Sequence, residues 1–344
     1  MPADSTPYTK DKKIMEPKTI LELVKNAGEV DVTQGIIEEV VKAVPEIAFF
    51  DTALVPGIVY SYLARVKGPT VSFRNIGDPV TASRSKFAKR PGELKLLSGR
   101  IELTEAEVKA NPLQTLEEQE ADEAAQTMIA AFKHVADQIW NGAASDNKGF
   151  VGAPDLVAAE MVTRAGDGAE GASTSVWFVC NGAKTACGLH LSKNSKFFEG
   201  DLEFHKGDIQ TKNGEGQVTG VEPGYIGDLS SWINFGSANT HKLARLCNVT
   251  KATGLNDDML TDCIELFAKM NDGLKPDAIF MSHAARSMLR KSRKLTFTST
   301  KGVDVTQYAP IPADVDGIPL YATNSITDTE DAVPESESSS SAAA

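Results

Sequence analysis

The sequence predicts an α+β protein, and three observations support that fold class. A pair of strand-like segments with little apolar cover lies between residues 57 and 110, and one long amphipathic helix follows at residues 112–140. In the last third of the chain, helical and strand-like segments alternate. With 344 residues, of which 41% are hydrophobic, the chain can bury a sizeable core.

Residues 1–56 are predicted to form an N-terminal arm followed by helices. Residues 1–17 are polar and contain three prolines, so we expect a loose arm there. After Lys18, apolar residues recur at helical spacing and predict two amphipathic helices, the second ending at Pro45. Its apolar positions are Ile36, Ile37, Val40, Val41 and Val44.

Residues 57–110 predict a long β-hairpin. The segments "GIVYSYLARV", "PTVSFRNIG" and "GELKLLSGRIELTE" are rich in strand-forming residues and are bounded by glycine or proline. Between them, "DPVTASRSKFAKRP" predicts a basic tip that carries Arg84, Lys86, Lys89 and Arg90. Because a two-stranded hairpin is marginally stable by itself in water, we expect this one to lie against another surface.

Residues 111–156 predict a long helix and a glycine-rich loop. Asn111 and Pro112 suit a helix start, and Thr115 with Glu118 offers a second capping site. Acidic residues crowd the N-terminal part, and an apolar stripe continues to Ile139, so the helix would be about 40 Å long. The loop is "WNGAASDNKGFVGAPDLV".

The rest of the chain divides into three predicted regions. Residues 157–255 alternate in polarity between glycine and asparagine turns and predict a β-rich region. Residues 256–326 predict a compact α/β unit with a helix near residues 257–272, a strand and basic helix within residues 276–297, and the strand "GIPLYATNSI". Residues 327–344, with five acids and no aromatic residue, predict a disordered acidic tail.

Charge and cysteine content restrict the function classes. The net charge of −12 and pI near 5.0 argue against a protein whose whole surface grips nucleic acid. The N-terminal residues lack a signal region, and no apolar run approaches the length of a membrane span, so we expect no membrane contact. Four cysteines are too few for a disulfide scaffold; we expect buried thiols in a reducing, cytoplasmic compartment.

The segment "PDAIFMSHAARSMLRKSRKLTF" concentrates basic side chains within this acidic protein. Ser282 is interpreted as the N-cap of its helix, and Ala285, Met288 and Leu289 as the apolar face. The basic residues are Arg286, Arg290, Lys291, Arg293 and Lys294. Two interpretations carry similar weight, a solvated face and ion pairing between subunits, with direct DNA binding last.

Candidate catalytic and metal sites are weak. "NGAKT" lacks the early glycine of a phosphate-binding loop, and Ala183 separates Gly182 from Lys184, so a plain β-turn is favoured. The residues Cys180, Cys187, His190 and His205 lack the spacing of structural zinc sites, and no nucleophile elbow is present. The sequence predicts no enzyme, cofactor or metal.

The order of these segments resembles the major capsid proteins of tailed double-stranded DNA bacteriophages, which have the Hong Kong 97-like fold. The resemblance is carried by "PTVSFRNIG", "QIWNGAASDNKGFVGAPDL", "SVWFVCNGAKTACGLHL" with "LARLCNV", and "PDAIFMSHAARSMLRKSR" with "DVDGIPLYATNSI". It covers the chain from about Gly35 to Ser325, and the order and spacing of the segments make the case.

The resemblance implies a role for each region. Residues 57–110 would be the extended loop, residues 111–156 the spine helix and glycine loop of the peripheral domain, residues 157–255 the β-rich part of that domain, and residues 256–326 the axial domain. It implies hexamers and pentamers in an icosahedral shell, a separate scaffolding protein, a portal protein, a possible decoration protein, and DNA enclosed without sequence-specific binding. The protein would be assembled in the host cytoplasm and reside in the virion. Arg84, Lys86, Lys89, Arg90, Arg286, Arg290, Lys291 and Arg293 are the candidate contacts between subunits.

One departure concerns segment order. "HKLARLCNV" precedes "PDAIF", whereas the strand that returns to the peripheral domain usually comes last, so the chain looks like a podovirus-type protein with rearranged segments. A structure that placed residues 174–250 wholly in the axial domain would contradict this. Two alternatives stay open: an encapsulin-type compartment of the same fold, and a nucleotide-dependent cytoplasmic enzyme built on "NGAKT".

Overall fold

The computed structural model describes residues 18–19, 44–76, 79, 82–110, 113–193, 204–212, 218–293, 295–298, 304–307 and 309–334. Most of the predicted arm and both predicted N-terminal helices lie outside these residues, as does the tail from residue 335. Within the described ranges, no helix is both long and apolar enough to cross a membrane.

Six helices and sixteen strands are formed by the described residues. The helices are α1 (Pro45–Phe49), α2 (Glu105–Ala110), α3 (Leu116–Asn141), α4 (Ala153–Leu156), α5 (Asp257–Met270) and α6 (His283–Ser292). The strands are β1 (Lys18–Thr19), β2 (Asp51–Val55), β3 (Val59–Lys67), β4 (Lys86–Glu93), β5 (Lys95–Thr104), β6 (Val162–Arg164), β7 (Thr174–Val179), β8 (Cys187–Ser192), β9 (Phe204–Lys212), β10 (Val218–Ser237), β11 (Leu243–Val249), β12 (Ala278–Ser282), β13 (Leu295–Thr298), β14 (Asp304–Gln307), β15 (Asp314–Val315) and β16 (Ile318–Thr323).

The strands form two six-stranded sheets and two separate hairpins. The first sheet has the order β1-β2-β8-β10-β5, with β9 added to β10. Its long strand β10 pairs with β9 through residues 218–227, with β5 through residues 224–233 and with β8 through residues 233–237. The second sheet has the order β15-β16-β12-β7-β11-β6, and the hairpins are β3-β4 and β13-β14.

Residues 174–250 are divided between the two sheets. Strands β7 and β11 lie in the second sheet beside β12, whereas β8, β9 and β10 lie in the first. The residues predicted as one β-rich region, 157–255, therefore contribute to both sheets, and residues 174–250 do not lie wholly in one of them. Strand β11 of "HKLARLCNV" pairs with β7 and β6, and the chain returns to the first sheet through β8 and β10.

The long helix α3 begins at a capping box formed by Thr115 and Glu118. The Thr115 side chain accepts a hydrogen bond from the Glu118 amide, and the Glu118 carboxylate accepts one from the Thr115 amide. This reciprocal capping box was the second of the two predicted starts. The first, at Asn111 and Pro112, is wrong, because a separate helix, α2, precedes α3 and the capping box satisfies the free amides of α3 at Thr115.

The glycine loop after α3 is held by one buried amide side chain. Gln138 donates through Nε2 to the carbonyl of Phe150 at 2.6 Å, and its Oε1 accepts from the Asp146 amide at 3.1 Å. The backbone at Gly142 has φ 53°, and a Cβ at Gly152 would stand 2.5 Å from the Gly142 Cα. Both glycines are required because two backbone segments cross there without room for a side chain.

Two apolar clusters form the core, and β7 lies between them. Trp177 and Val179 face a cluster with α3 that contains Trp140 and Phe280. Alternate residues of the same strand, including Phe178, face a second cluster beneath α5 and α6. A strand buried on both faces is therefore shared by two layers of helices. All four cysteines are buried free thiols, as predicted.

Two predictions about local structure are wrong. "PTVSFRNIG" was predicted as a strand, but residues 68–76 contain no strand, and the second strand of the hairpin is β4, part of which was predicted as the tip. Strand β5 was expected in the hairpin but pairs with β10. The reason is register, since only pairing between distant segments selects which residues form the ladder.

The C-terminal segment up to Pro334 is ordered, contrary to the predicted disorder from residue 327. Glu330 exchanges both backbone hydrogen bonds with Ser173, and its carboxylate lies 3.0 Å from Arg245. The side chain of Asn248 both donates to and accepts from the backbone of Val333. Composition alone missed this, because the acidic segment is stabilised by partners far away in the chain.

Candidate assembly surface

The β3-β4 hairpin carries the features of an interaction surface. Its strands pair antiparallel from Val59 with Glu93 to Lys67 with Lys86, so the paired part spans roughly 30 Å at the usual rise of a strand. Beyond it lie the described loop residues 68–76, 79 and 82–85, among which the Thr70 amide donates to Ser83 Oγ at 2.7 Å. We name this loop the hairpin tip.

Large apolar side chains on the hairpin tip stand in solvent. Phe73 and Ile76 each expose 107% of their reference area and Val71 exposes 93%. Phe87, on the neighbouring strand β4, is also exposed. Transfer of one such side chain out of water contributes about 1.5–3 kcal/mol, so leaving several exposed together is costly unless a partner covers them.

The sequence-predicted basic residues of the hairpin lie on or just before β4. Arg84 is in the hairpin tip, whereas Lys86, Lys89 and Arg90 are strand residues paired with β3. Because side chains alternate along a strand, Lys86 and Arg90 share one face and Lys89 points to the other. No ion pair or hydrogen bond joins these four side chains to another residue of the described chain, so their charges are available to a partner.

The N-terminal half of α3 carries the opposite charge. Five acids lie within its first two turns, and four of them are exposed. They are Glu117, Glu118, Glu120, Asp122 and Glu123. Partial burial, with the nearby charge of Glu117, raises the pKa of the Glu120 carboxyl. We name this set the acidic end of α3.

The basic helix α6 is capped and packed as predicted. Ser282 Oγ accepts from the Ala285 amide at 3.1 Å, and Ala285 and Leu289 are buried. Arg293 forms a two-pronged ion pair with Asp257, with Nε 2.8 Å from Oδ2, and this contact raises the pKa of Arg293. A predicted contact residue is thus already paired within the chain.

The other predicted contact residues of α6 differ in their surroundings. Arg290 donates through Nε to the carbonyl of Ala309 at 2.9 Å and is otherwise exposed. Arg286 is half-buried in a cleft with Phe49 and Tyr321, and Lys291 is exposed. Lys86, Lys89 and Arg90 lie on β4, and Arg286, Arg290 and Lys291 lie on α6. Within the described ranges, no hydrogen bond or ion pair joins the predicted contact residues of β4 to those of α6.

The comparisons with known proteins concern structure. No protein-family model and no curated protein matches this sequence. A chain of bacteriophage Epsilon15, from a near-atomic cryo-EM structure, is similar over 82% of this chain and 87% of its own, with 15% identity and a TM-score of 0.53. The chain has the Hong Kong 97-like capsid fold. At this level of identity the likeness is one of fold.

Two further solved structures are similar with lower TM-scores. The bacteriophage JBD30 capsid has 9% identity and a TM-score of 0.47, covering 94% of this chain and 95% of its own. The holo-SrpI encapsulin complex from Synechococcus elongatus has 9% identity and a TM-score of 0.40, covering 59% of this chain and 85% of its own.

The residues considered for nucleotide and zinc sites form a turn and ordinary strand contacts in this Hong Kong 97-like chain. "NGAKT" forms a turn in which the Gly182 carbonyl accepts from the amides of Thr185 and Ala186, and a strand follows where a phosphate-binding loop would continue as a helix. Asn181 holds this turn to α1, because its Nδ2 donates to the Phe49 carbonyl at 2.7 Å. His190 packs on Tyr60, and His205 is exposed on β9.

Sequence reasoning missed the apolar residues of the hairpin tip. The strand-forming composition of "PTVSFRNIG" predicted a strand that contains Val71 and Phe73, whereas the structure forms no strand there and exposes both side chains. The available signal was the absence of any second apolar segment nearby that could cover them. It also missed Tyr60, which joins the hairpin to the first sheet through Asn234.

Proposed function

We propose that this protein is a major capsid protein whose copies assemble into an icosahedral shell around double-stranded DNA. The observation that carries the proposal is the hairpin tip, which exposes Val71, Phe73 and Ile76 on a projecting hairpin of a Hong Kong 97-like fold. An isolated soluble subunit gains nothing from this exposure, whereas a shell covers it with a neighbouring copy.

The partner surface on the neighbouring copy is the acidic end of α3. The hairpin offers unpaired cations at Arg84, Lys86 and Lys89, and the acidic end offers carboxylates at Glu117 and Glu123 that form no ion pair in the described chain. Each exposed pair contributes at most about 1 kcal/mol. Charge therefore sets the register of the contact, and the apolar tip supplies most of its stability.

Contact between two different surfaces generates rings when the rotation closes, and this geometry suits hexamers and pentamers. Of the residues 57–110 expected in the extended loop, we assign 57–93, which contain the β3-β4 hairpin, to that loop, because β5 belongs to the first sheet. We assign α3 to the peripheral domain and the sheet containing β12 to the axial domain. Arg286 and Lys291 are proposed as axial contacts. A separate scaffolding protein, a portal and a possible decoration protein complete the proposed partners. The net charge of −12 suits a virion wall that encloses DNA without binding its sequence.

Negative-stain electron microscopy of the purified full chain, alone and co-expressed with the products of its neighbouring genes, tests the proposal. We expect uniform closed shells. The variant Phe73→Ser/Ile76→Ser should give folded subunits that do not form shells, whereas Leu274→Ser, an exposed apolar residue in the turn after α5, should assemble normally.

Four outcomes would count against the proposal. Monomers or small rings in every preparation would contradict shell formation, and shells formed equally well by the tip variant would contradict the role of the hairpin tip. Shells that enclose an enzyme cargo and no DNA would instead support an encapsulin-type compartment. Saturable nucleotide binding in a calorimetric titration would favour the enzyme alternative.

A further inference from the structure

Tyr60 occupies a space that the hairpin leaves open for it. In the β3-β4 ladder Tyr60 is directly opposite Gly92, and its ring lies across that glycine. A Cβ at Gly92 would stand 2.4 Å from the ring carbon Cζ. Gly92 therefore has no side chain because the tyrosine ring fills its place, which is how an aromatic residue commonly compensates for a glycine in a strand.

The same ring joins the hairpin to the body of the protein. Its centroid lies 4.8 Å from that of His190 on β8, and its hydroxyl accepts a hydrogen bond from Asn234 Nδ2 on β10 at 2.8 Å. Both partners are buried strand residues of the first sheet. One side chain at the start of β3 thus makes an aromatic contact and a hydrogen bond to two rigid strands.

The neighbouring residues of the hairpin base leave open space. A groove separates the hairpin from the glycine loop, with Val59 and Pro91 on one wall and Phe150, Val151 and Leu156 on the other. Val59 is 73% exposed and Val151 is 52% exposed across this groove. The groove therefore leaves space beside the base of the hairpin on the side of the glycine loop.

We propose that Tyr60 is the residue that positions the hairpin for assembly. The Tyr60 side chain holds β3 against β8 and β10 and keeps the groove open. Without the ring, the hairpin leans into the groove, where Val59 and Val151 are covered, and the hairpin tip no longer points at one fixed place. This inference rests on the proposed function only for its consequence, since the orientation of the hairpin is a property of the single chain.

Distance measurement between two spin labels in the unassembled full chain tests whether Tyr60 fixes the orientation of the hairpin. Ala82→Cys in the hairpin tip and Ser145→Cys in the glycine loop are exposed attachment sites, and the native cysteines are buried. Double electron–electron resonance should give a narrow distance distribution in the parent. Tyr60→Ala should shift it to shorter distances and broaden it, and Tyr60→Phe, which keeps the ring, should stay close to the parent.

Two further variants keep the test decisive. Gly92→Ala retains Tyr60 but places a methyl group where the ring lies, so it should broaden the distribution even if Tyr60→Ala fails to fold. Val59→Ala, on the exposed neighbour, should leave the distribution unchanged. An unaltered distance distribution in folded Tyr60→Ala or Gly92→Ala would overturn this role of Tyr60. Failure of the parent to form shells would contradict the proposed function and leave the distance result standing.

Discussion

Trp140 donates its indole Nε1 hydrogen to Glu46 Oε1 across 2.8 Å, and both side chains are buried. The contact joins the end of α3 to α1, which are 94 residues apart in the chain. Burial raises the pKa of Glu46, and Asp137 adds to the effect, while the hydrogen bond from Trp140 opposes it. The core therefore contains a carboxyl group that retains its proton to a higher pH than an exposed glutamate.

The raised pKa of Glu46 makes stability fall as pH rises. The folded state binds this proton more tightly than the unfolded state does, so the contribution is complete below the ordinary pKa of 4.5 and is lost as pH rises through the folded value. We expect Glu46→Gln to remove this dependence, so that the stability difference between variant and parent grows in favour of the variant from pH 4 to pH 8. Urea unfolding of both chains across that range measures it.

A variant without a polar group at this position serves as the control. Glu46→Ala leaves the Trp140 N–H without its acceptor in the core and should be about 2 kcal/mol less stable than Glu46→Gln at any pH. If Glu46→Gln and Glu46→Ala lose stability equally, the hydrogen bond to Trp140 contributes nothing.

His190 gives the opposite pH dependence. Burial lowers its pKa to about 4, and the folded state therefore disfavours the proton that the unfolded state accepts near pH 6.5. Stability is complete above pH 6.5 and falls as the pH drops toward 4, by at most about 3 kcal/mol. Replacing the ring with one that does not titrate, as in His190→Phe, should flatten this part of the profile. An NMR titration that gives His190 an ordinary pKa would contradict the expectation.

Gln138 should be essential for the glycine loop. Gln138→Leu fills the same space but leaves the Phe150 carbonyl and the Asp146 amide without their partner, and we expect a loss of about 2 kcal/mol in the free energy of unfolding. Hydrogen exchange at residues 142–150 should accelerate. Gln126→Leu, at an exposed position on the same helix, is the matched control and should leave both measurements unchanged.

Two truncations separate the ordered from the undescribed part of the C-terminal segment. Ending the chain after Pro334 should preserve stability, whereas ending it after Ile326 removes Glu330 and leaves the nearly buried Arg245 unpaired. Breaking such a pair costs about 3 kcal/mol. Thermal unfolding of both truncated chains measures the difference. Equal midpoints would show that residues 327–334 contribute nothing to the fold.

Features that depend on neighbours a few residues apart were predictable from the sequence. The capping box of Thr115 and Glu118, the Ser282 cap and the apolar face with Ala285 and Leu289 involve only local geometry, so composition and spacing predicted them. The order of segments also predicted the fold that the structural comparison supports.

Features that depend on contacts between distant residues were settled only by the folded chain. The composition of "PTVSFRNIG" suits a strand, yet a strand forms only where a partner ladder exists, and β4 has that partner in β3. The acidic segment that contains Glu330 is ordered because Arg245 lies opposite it, and Tyr60 is significant because β8 and β10 bring His190 and Asn234 to its ring. Each is a long-range pairing, and one-dimensional spacing contains no information on which distant groups will meet.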